Sequence, residues 1–185
     1  MRIIAGSARS LPLKTPDGLE TRPTSDKIKE TLFNMLQREV PGSYFLDLFA
    51  GSGQIGLEAL SRGANYAVFV DNGRKPAECI EHNIKFTKFD KQAALLTSDA
   101  VSAIHMMDGK YRFDLIFMDP PYGKGYDKEV LAALAQSSLL KEDARIICEE
   151  DLHADFSYVE ELGYEIVKVK EYKTNKHVFL ERKNG

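Results

Sequence analysis

Beyond Tyr44 the chain alternates short apolar runs with longer amphipathic stretches, and no other feature restricts its fold as much. Tyr44-Phe45-Leu46-Asp47-Leu48 has strand character, leads into a glycine-rich turn, and is followed by a helical stretch over residues 54–62 that Gly63 stops. Residues 66–71 form the next apolar run, and the helix after it places Ala77, Ile80 and Ile84 on one face. Residues 94–97 and a short helix over 101–107 continue the pattern. Phe113-Asp114-Leu115-Ile116-Phe117-Met118 reads as a strand buried on both faces. Asp127 is placed to cap a helix carrying Val130, Leu131 and Leu134. A strand over 145–148, a helix over 156–162 and strands over 165–169 and 177–180 complete the chain. Such alternation predicts an α/β fold with a mostly parallel sheet covered on both faces. The last two strands are joined by a short polar segment, so they pair antiparallel.

Residues 1–43 differ in kind. Residues 1–5 and 11–14 suit a small hairpin, Thr15-Pro16-Asp17-Gly18 a turn, and Pro23-Thr24-Ser25 the start of a helix with Ile28, Leu32, Met35 and Leu36 at helical spacing. This segment is too small to hold its own core, so two units are expected: an extension, 1–43, packed on a body, 44–185. Charge follows the division in part. Residues 1–29 carry a net +3, residues 30–167 a net −10 and residues 168–185 a net +4. An acidic middle excludes a general nucleic-acid coat but allows a local basic footprint. No run approaches the roughly 18 apolar residues of a membrane span, and the N-terminus lacks a signal-type apolar run, so a cytoplasmic protein is expected. Cys79 and Cys148 sit in apolar surroundings and read as core filler. The four histidines show no metal spacing, and no metal site is expected. His82, His105, His153 and His177 read as surface or satisfied residues. Lys168, Lys170, Lys173 and Lys176 read as a charged, exposed strand edge.

Gly51, Gly53 and Gly56 stand in G-x-G-x-x-G register between strand and helix, with Asp71 at the end of the next strand. Glycines let the backbone approach a nucleoside, a helix N-terminus offers free N–H groups, and a carboxylate after the second strand can accept from ribose hydroxyls. Asp47, just ahead of the turn, would repel a pyrophosphate but attract a sulfonium. That favours S-adenosylmethionine over a dinucleotide, with capping of the glycine loop as the weaker role for Asp47. Asp99 is placed either to accept an adenine amine or to cap the following helix, and the two roles are compatible. Phe49, Ser52, Asn72 and Ala100 flank these positions and complete the candidate cofactor set.

Asp119-Pro120-Pro121-Tyr122 follows the most apolar strand. Its prolines remove two N–H donors and hold the backbone extended, leaving the Asp119 carboxylate and Pro120 carbonyl as acceptors. Two acceptors gripping an amine on an aromatic ring favour a pyramidal nitrogen whose lone pair faces a methyl donor. Tyr122 can stack on the base. The proton leaves to Asp119 or water.

These residues resemble a class I S-adenosylmethionine-dependent methyltransferase, and the fuller pattern resembles the RsmD family, which methylates guanine N2 in bacterial 16S ribosomal RNA. The resemblance rests on Arg2-Ile3-Ile4-Ala5-Gly6, on Thr21-Arg22-Pro23-Thr24-Ser25-Asp26-Lys27, on the stretch from Asp47 through Gly63, and on Asp119-Pro120-Pro121-Tyr122. It implies a Rossmann-like, seven-stranded sheet with the last strand antiparallel, a monomer, and action on the small ribosomal subunit or its assembly intermediate. It also implies cofactor contacts from Asp47, Gly51, Gly53, Asp71 and Asp99, with S-adenosylhomocysteine as product. Asp119, Pro120 and Tyr122 fall at the target base, with Pro121 between them. The ribbon and the segment after it, through Arg2, Arg9, Arg22, Thr24 and Lys27, would hold RNA. One departure is the stretch Ser7-Ala8-Arg9-Ser10-Leu11, where the family carries an Arg-Gly-Arg-like cluster. Two other readings remain open. A DNA adenine-N6 or cytosine-N4 methyltransferase uses the same acceptors but needs a recognition domain this length does not supply. A non-catalytic nucleotide-binding module would leave Asp119-Pro120-Pro121-Tyr122 without a role.

Overall fold

The computed structural model describes residues 1–17 and 25–184. Its elements are α1 (Asp26–Met35), β1 (Tyr44–Leu48), α2 (Gln54–Ser61), β2 (Tyr66–Asp71), α3 (Arg74–Phe86), β3 (Ala93–Thr97), α4 (Ala100–Met107), β4 (Phe113–Met118), α5 (Tyr126–Gln136), β5 (Leu140–Asp151), β6 (Tyr164–Glu171) and β7 (Asn175–Arg182). One seven-stranded sheet runs β3-β2-β1-β4-β5-β7-β6. β1 to β5 pair in parallel, and β7 lies antiparallel between β5 and β6. The chain builds outward from β1 to β3, then returns to lay β4 on the other side of β1. At that reversal a crevice opens beyond the carboxyl ends of the strands.

Alternation along each strand divides the core. Phe45, Leu115, Phe117, Ile147 and Phe179 face α1, α2 and α3, while Leu46, Ile116, Met118, Ile146 and Leu180 face α4 and α5. Truncating one of these side chains would cost roughly 2–5 kcal/mol. Cys79 and Cys148 are buried free thiols within this frame.

Three local expectations are corrected. β5 spans twelve residues rather than four, because Lys141 pairs with Asp114 at 2.9 Å and Leu140 with Phe113, carrying a polar stretch into the sheet. The stretch expected as a helix near 156–162 is a single 3-10 turn, Ser157–Glu160. Asp127 does not cap α5: Gly125 holds the cap position, and Asp127 is buried inside the first turn, where it accepts from Tyr158 Oη at 2.7 Å.

The N-terminal ribbon is a bridge between Arg2 and Pro12, extended by Ile3 N to Leu11 O and Leu13 N to Met1 O. Ile3, Leu13, Leu32, Phe33 and Leu36 enter the same apolar cluster as α2 and α3. Polar groups fasten the ribbon. Glu58, fully buried in α2, accepts from Ile4 N at 2.8 Å and Ala5 N at 3.0 Å, and pairs with Arg62 at 2.9 Å and Lys29 at 3.6 Å. Burial lowers the Lys29 pKa, with Glu58 opposing that shift. Gly6 has φ +88, and a Cβ there would lie 1.9 Å from Ser61 O, so only glycine fits this approach.

Candidate active site

Leu48 of β1 pairs with Met118 of β4, so the glycine turn and Asp119-Pro120-Pro121-Tyr122 leave the sheet side by side. Phe49, Gly51 and Gly53 all have positive φ where the turn must bend, a conformation the two glycines adopt freely and only Phe49 adopts under strain. Ala50 N donates to Val70 O and Gly51 N donates to Asp71 Oδ2, each at 2.9 Å, which ties the turn to β2. Asp71 Oδ1 accepts from Gly73 N. The third glycine serves packing, since a Cβ on Gly56 would lie 2.4 Å from the Phe69 ring.

Asp47 is almost wholly buried, and its Oδ2 accepts from Gly56 N at 2.9 Å. Loop capping, the weaker role on sequence grounds, is thus the one its geometry displays. Burial pushes its carboxyl well above the usual carboxylate range, the Gly56 amide opposes this, and the Asp71 charge adds to it. Asp99 caps α4 through Ser102 N at 2.9 Å, which lowers its pKa.

A cavity of about 300 Å³ opens at this edge. Phe49, Asp71, Asn72, Asp99 and Ala100 of the expected cofactor set line it, together with Pro121. Asp47, Gly51, Ser52 and Gly53 stand outside that lining, and Ser52 Oγ turns towards Met1 Sδ at 3.1 Å. Tyr126 and Glu129 of α5 also line the cavity, and sequence reasoning missed them. The rings of Phe49 and Tyr126 lie 6.3 Å apart. An aromatic wall beside the carboxylates of Asp71 and Asp99 fits an adenosine group, with acceptors for hydroxyl and amine donors.

Asp119 is half-buried, Pro120 buried, and Pro121 and Tyr122 exposed. Burial, then the charges of Glu149, Asp47 and Glu150, raise the Asp119 pKa well above its ordinary value. Register explains the closeness of Glu149: Met118 pairs with Cys148, so Asp119 and Glu149 are the next residues on neighbouring strands, on the same pleat face. Glu149 is buried and accepts from Asn175 Nδ2 and His177 Nε2, both at 2.9 Å. His177 is fully buried, its Nδ1 lacks a partner among the described residues, and Tyr172 meets its ring edge-on at 5.2 Å. Burial, with Glu149 nearby, pushes the Tyr172 hydroxyl up to about 12. The expectation of an ordinary surface or satisfied histidine therefore fails for His177. Its alternation with the buried Phe179 was the available signal. Glu150 points to the opposite face, where burial and Asp127 raise it to about 7.

The expected RNA-binding residues divide. Arg2 and Arg9, with Arg62, line a separate concavity of about 330 Å³, and Arg2 pairs with Asp26 at 3.2 Å. Arg9 follows Ser7 and Ala8, whose amides bind Ser61 at the end of α2 remote from the glycine turn. Lys27 is exposed on the first turn of α1, and Arg22 and Thr24 lie outside the described residues. Among the described residues no His/Cys/Asp/Glu group is set to hold a metal, and no helix is long and apolar enough to cross a membrane.

The strand order, the glycine turn at the reversal and the acceptor-rich segment beside it define a Rossmann-like methyltransferase fold. A structure named "Putative methyltransferase yhhF from Escherichia coli" superposes with a TM-score of 0.84 at 30% identity, covering 98% of this chain and 97% of that one. The family described as "Conserved hypothetical protein 95" matches residues 1–181. A Bacillus subtilis protein named "Putative rRNA methyltransferase YlbH" is 41% identical over 82% of this chain and 83% of its own length. The Haemophilus influenzae protein "Ribosomal RNA small subunit methyltransferase D" is 35% identical over 82% and 79%. The chain belongs to this family, that of the small subunit methyltransferase D proteins.

Proposed function

We propose that the protein transfers a methyl group from S-adenosylmethionine to the exocyclic N2 of a guanine in small-subunit ribosomal RNA. One observation carries this reading: the residues suited to an adenosine group and Pro121 of the acceptor segment line one cavity at one edge of the sheet. When bound, S-adenosylmethionine supplies an electrophilic methyl carbon. Asp71 and Asp99 accept from its adenosine donors, and Phe49 and Tyr126 exclude water from its base. The Asp119 carboxylate and Pro120 carbonyl accept the two N–H bonds of the guanine amine and turn its lone pair outward. Tyr122 stacks on the base. Asp119 takes the proton as the new N–C bond forms and the methyl–sulfur bond breaks, its electron pair leaving on sulfur as S-adenosylhomocysteine. The raised pKa of Asp119 suits it to that task. Residues 1–43 form the RNA-contacting extension, through Arg2, Arg9, Arg22, Thr24 and Lys27. The protein acts as a monomer in the cytoplasm, where the base must be exposed or flipped to reach the cavity.

Labelled S-adenosylmethionine offered with small ribosomal subunits, naked RNA and duplex DNA tests the reading. N2-methylguanosine from subunit RNA supports it. N6-methyladenine or N4-methylcytosine in DNA rejects it.

A further inference from the structure

We infer that Glu149 is a base-specificity residue: its carboxylate accepts the N1–H of the target guanine beside the amine held by Asp119. The inference rests on the proposed guanine reaction and adds a reader that this reaction does not itself require.

Chemistry and register point to it together. Guanine presents adjacent donors, N2–H₂ and N1–H, on one edge. In adenine and cytosine the exocyclic amine neighbours a ring nitrogen that accepts. Two carboxylates side by side match the first pattern and repel the second. The β4–β5 register supplies that pair, since Asp119 and Glu149 follow Met118 and Cys148 on adjacent parallel strands. Strands so paired lie about 4.8 Å apart, near enough for the two side chains to converge on neighbouring donors of one ring.

Glu149 is also aimed. Asn175 Nδ2 and His177 Nε2 each donate to a different oxygen, which fixes the carboxylate plane and leaves a second lone pair on each oxygen. The side chain keeps 7% of its surface exposed, whereas His177 keeps none. A Glu–His pair serving only to hold β7 to β5 would need no position beside Asp119. Burial of a further negative charge next to an already raised carboxylic acid costs stability, and a ligand donor recovers it.

The test maps the guanine methylated by the wild-type protein, then rebuilds the subunit RNA with 2-aminopurine at that position. That base keeps the exocyclic amine but has an acceptor at N1. Wild-type protein should favour guanine by about a hundredfold or more in kcat/KM, as sites built around a substrate hydrogen bond do. Glu149→Gln should lose most of this preference, because a Gln amide can turn its NH₂ towards the N1 acceptor of 2-aminopurine. Binding of both RNAs to the protein loaded with S-adenosylhomocysteine should show the same loss of preference. Asn175→Ala, which frees the carboxylate without removing it, should reduce the preference partway and covers the case in which Glu149→Gln does not fold. Equal use of both bases by wild-type protein overturns the inference. So does a Glu149→Gln variant that is slower on both bases with its preference intact, the result of a purely structural role. Absence of any methylguanosine with wild-type protein is a different failure, that of the proposed reaction itself.

Discussion

Two buried charge clusters lie on the same face of the sheet and are built on opposite principles. Around Glu58, one carboxylate meets Lys29, Arg62 and two backbone amides, so opposite charges and donors surround it. Around Asp119, the neighbours that shift its pKa are Glu149 and Asp47 on that face and Glu150 across the sheet, all carboxylates. The first cluster fastens the ribbon to the body. The second holds like charges together at the open edge of the sheet, an arrangement that costs stability and suits a site awaiting a cation or a donor.

The contrast is broken most sharply by Asp119→Ala. Methyl transfer should fall by about a thousandfold, the scale of a lost proton acceptor, while calorimetry with S-adenosylhomocysteine shows cofactor affinity retained. The same substitution should leave stability to urea unchanged or improved, because it relieves repulsion. Loss of cofactor affinity in parallel would make Asp119 a cofactor residue.

Glu58→Ala should behave in the reverse way. It strands Lys29 in the core and leaves the Ile4 and Ala5 amides unpaired, so urea unfolding should show about 3–5 kcal/mol lost. A loss below ~1 kcal/mol would remove the fastener role. Gly56→Ala comes next, at about 1–3 kcal/mol, because its new methyl group meets the Phe69 ring. It should also weaken cofactor binding, since Gly56 N is the donor that Asp47 holds.

Much of the second cluster's setting was legible in the sequence. Apolar runs followed by glycines or prolines announce strands and their carboxyl edge, and Asp47, Asp71 and Asp119 all stand at such ends. The first cluster was not read. Lys29 sits three and four residues before Leu32 and Phe33, on the apolar side of α1, and Glu58 lies inside a helix whose every residue is buried. Charges at apolar positions were the signal, but their partners come from distant segments that a local pattern cannot join. For the same reason the polar start of β5 was missed: pairing with β4, not propensity, makes it a strand. His177 and Asn175 escaped because their role depends on β7 inserting beside β5, which the chain order does not announce.

The smallest effect concerns Glu150, on the opposite face of β5 from Glu149. Its pKa is raised from 4.5 to about 7, by burial first and by Asp127 next, while Lys176 opposes the shift. Between those values the folded protein keeps a proton that the unfolded chain releases. Stability therefore falls as pH rises from 4.5 towards 7, and is flat above. Asp119 and Asp47 shift in the same direction, so the wild-type slope alone does not isolate Glu150. The difference from Glu150→Gln does. That variant should match wild type near pH 5 and melt about 2–4 °C higher at pH 8, the shift that ~1 kcal/mol produces in a chain of this length, the full effect being reduced by solvent and by Lys176. Parallel melting curves across that range would place the like-charge strain on Asp119 and its own face alone. A divergence that opens between pH 5 and 7 and persists above would extend it through the sheet.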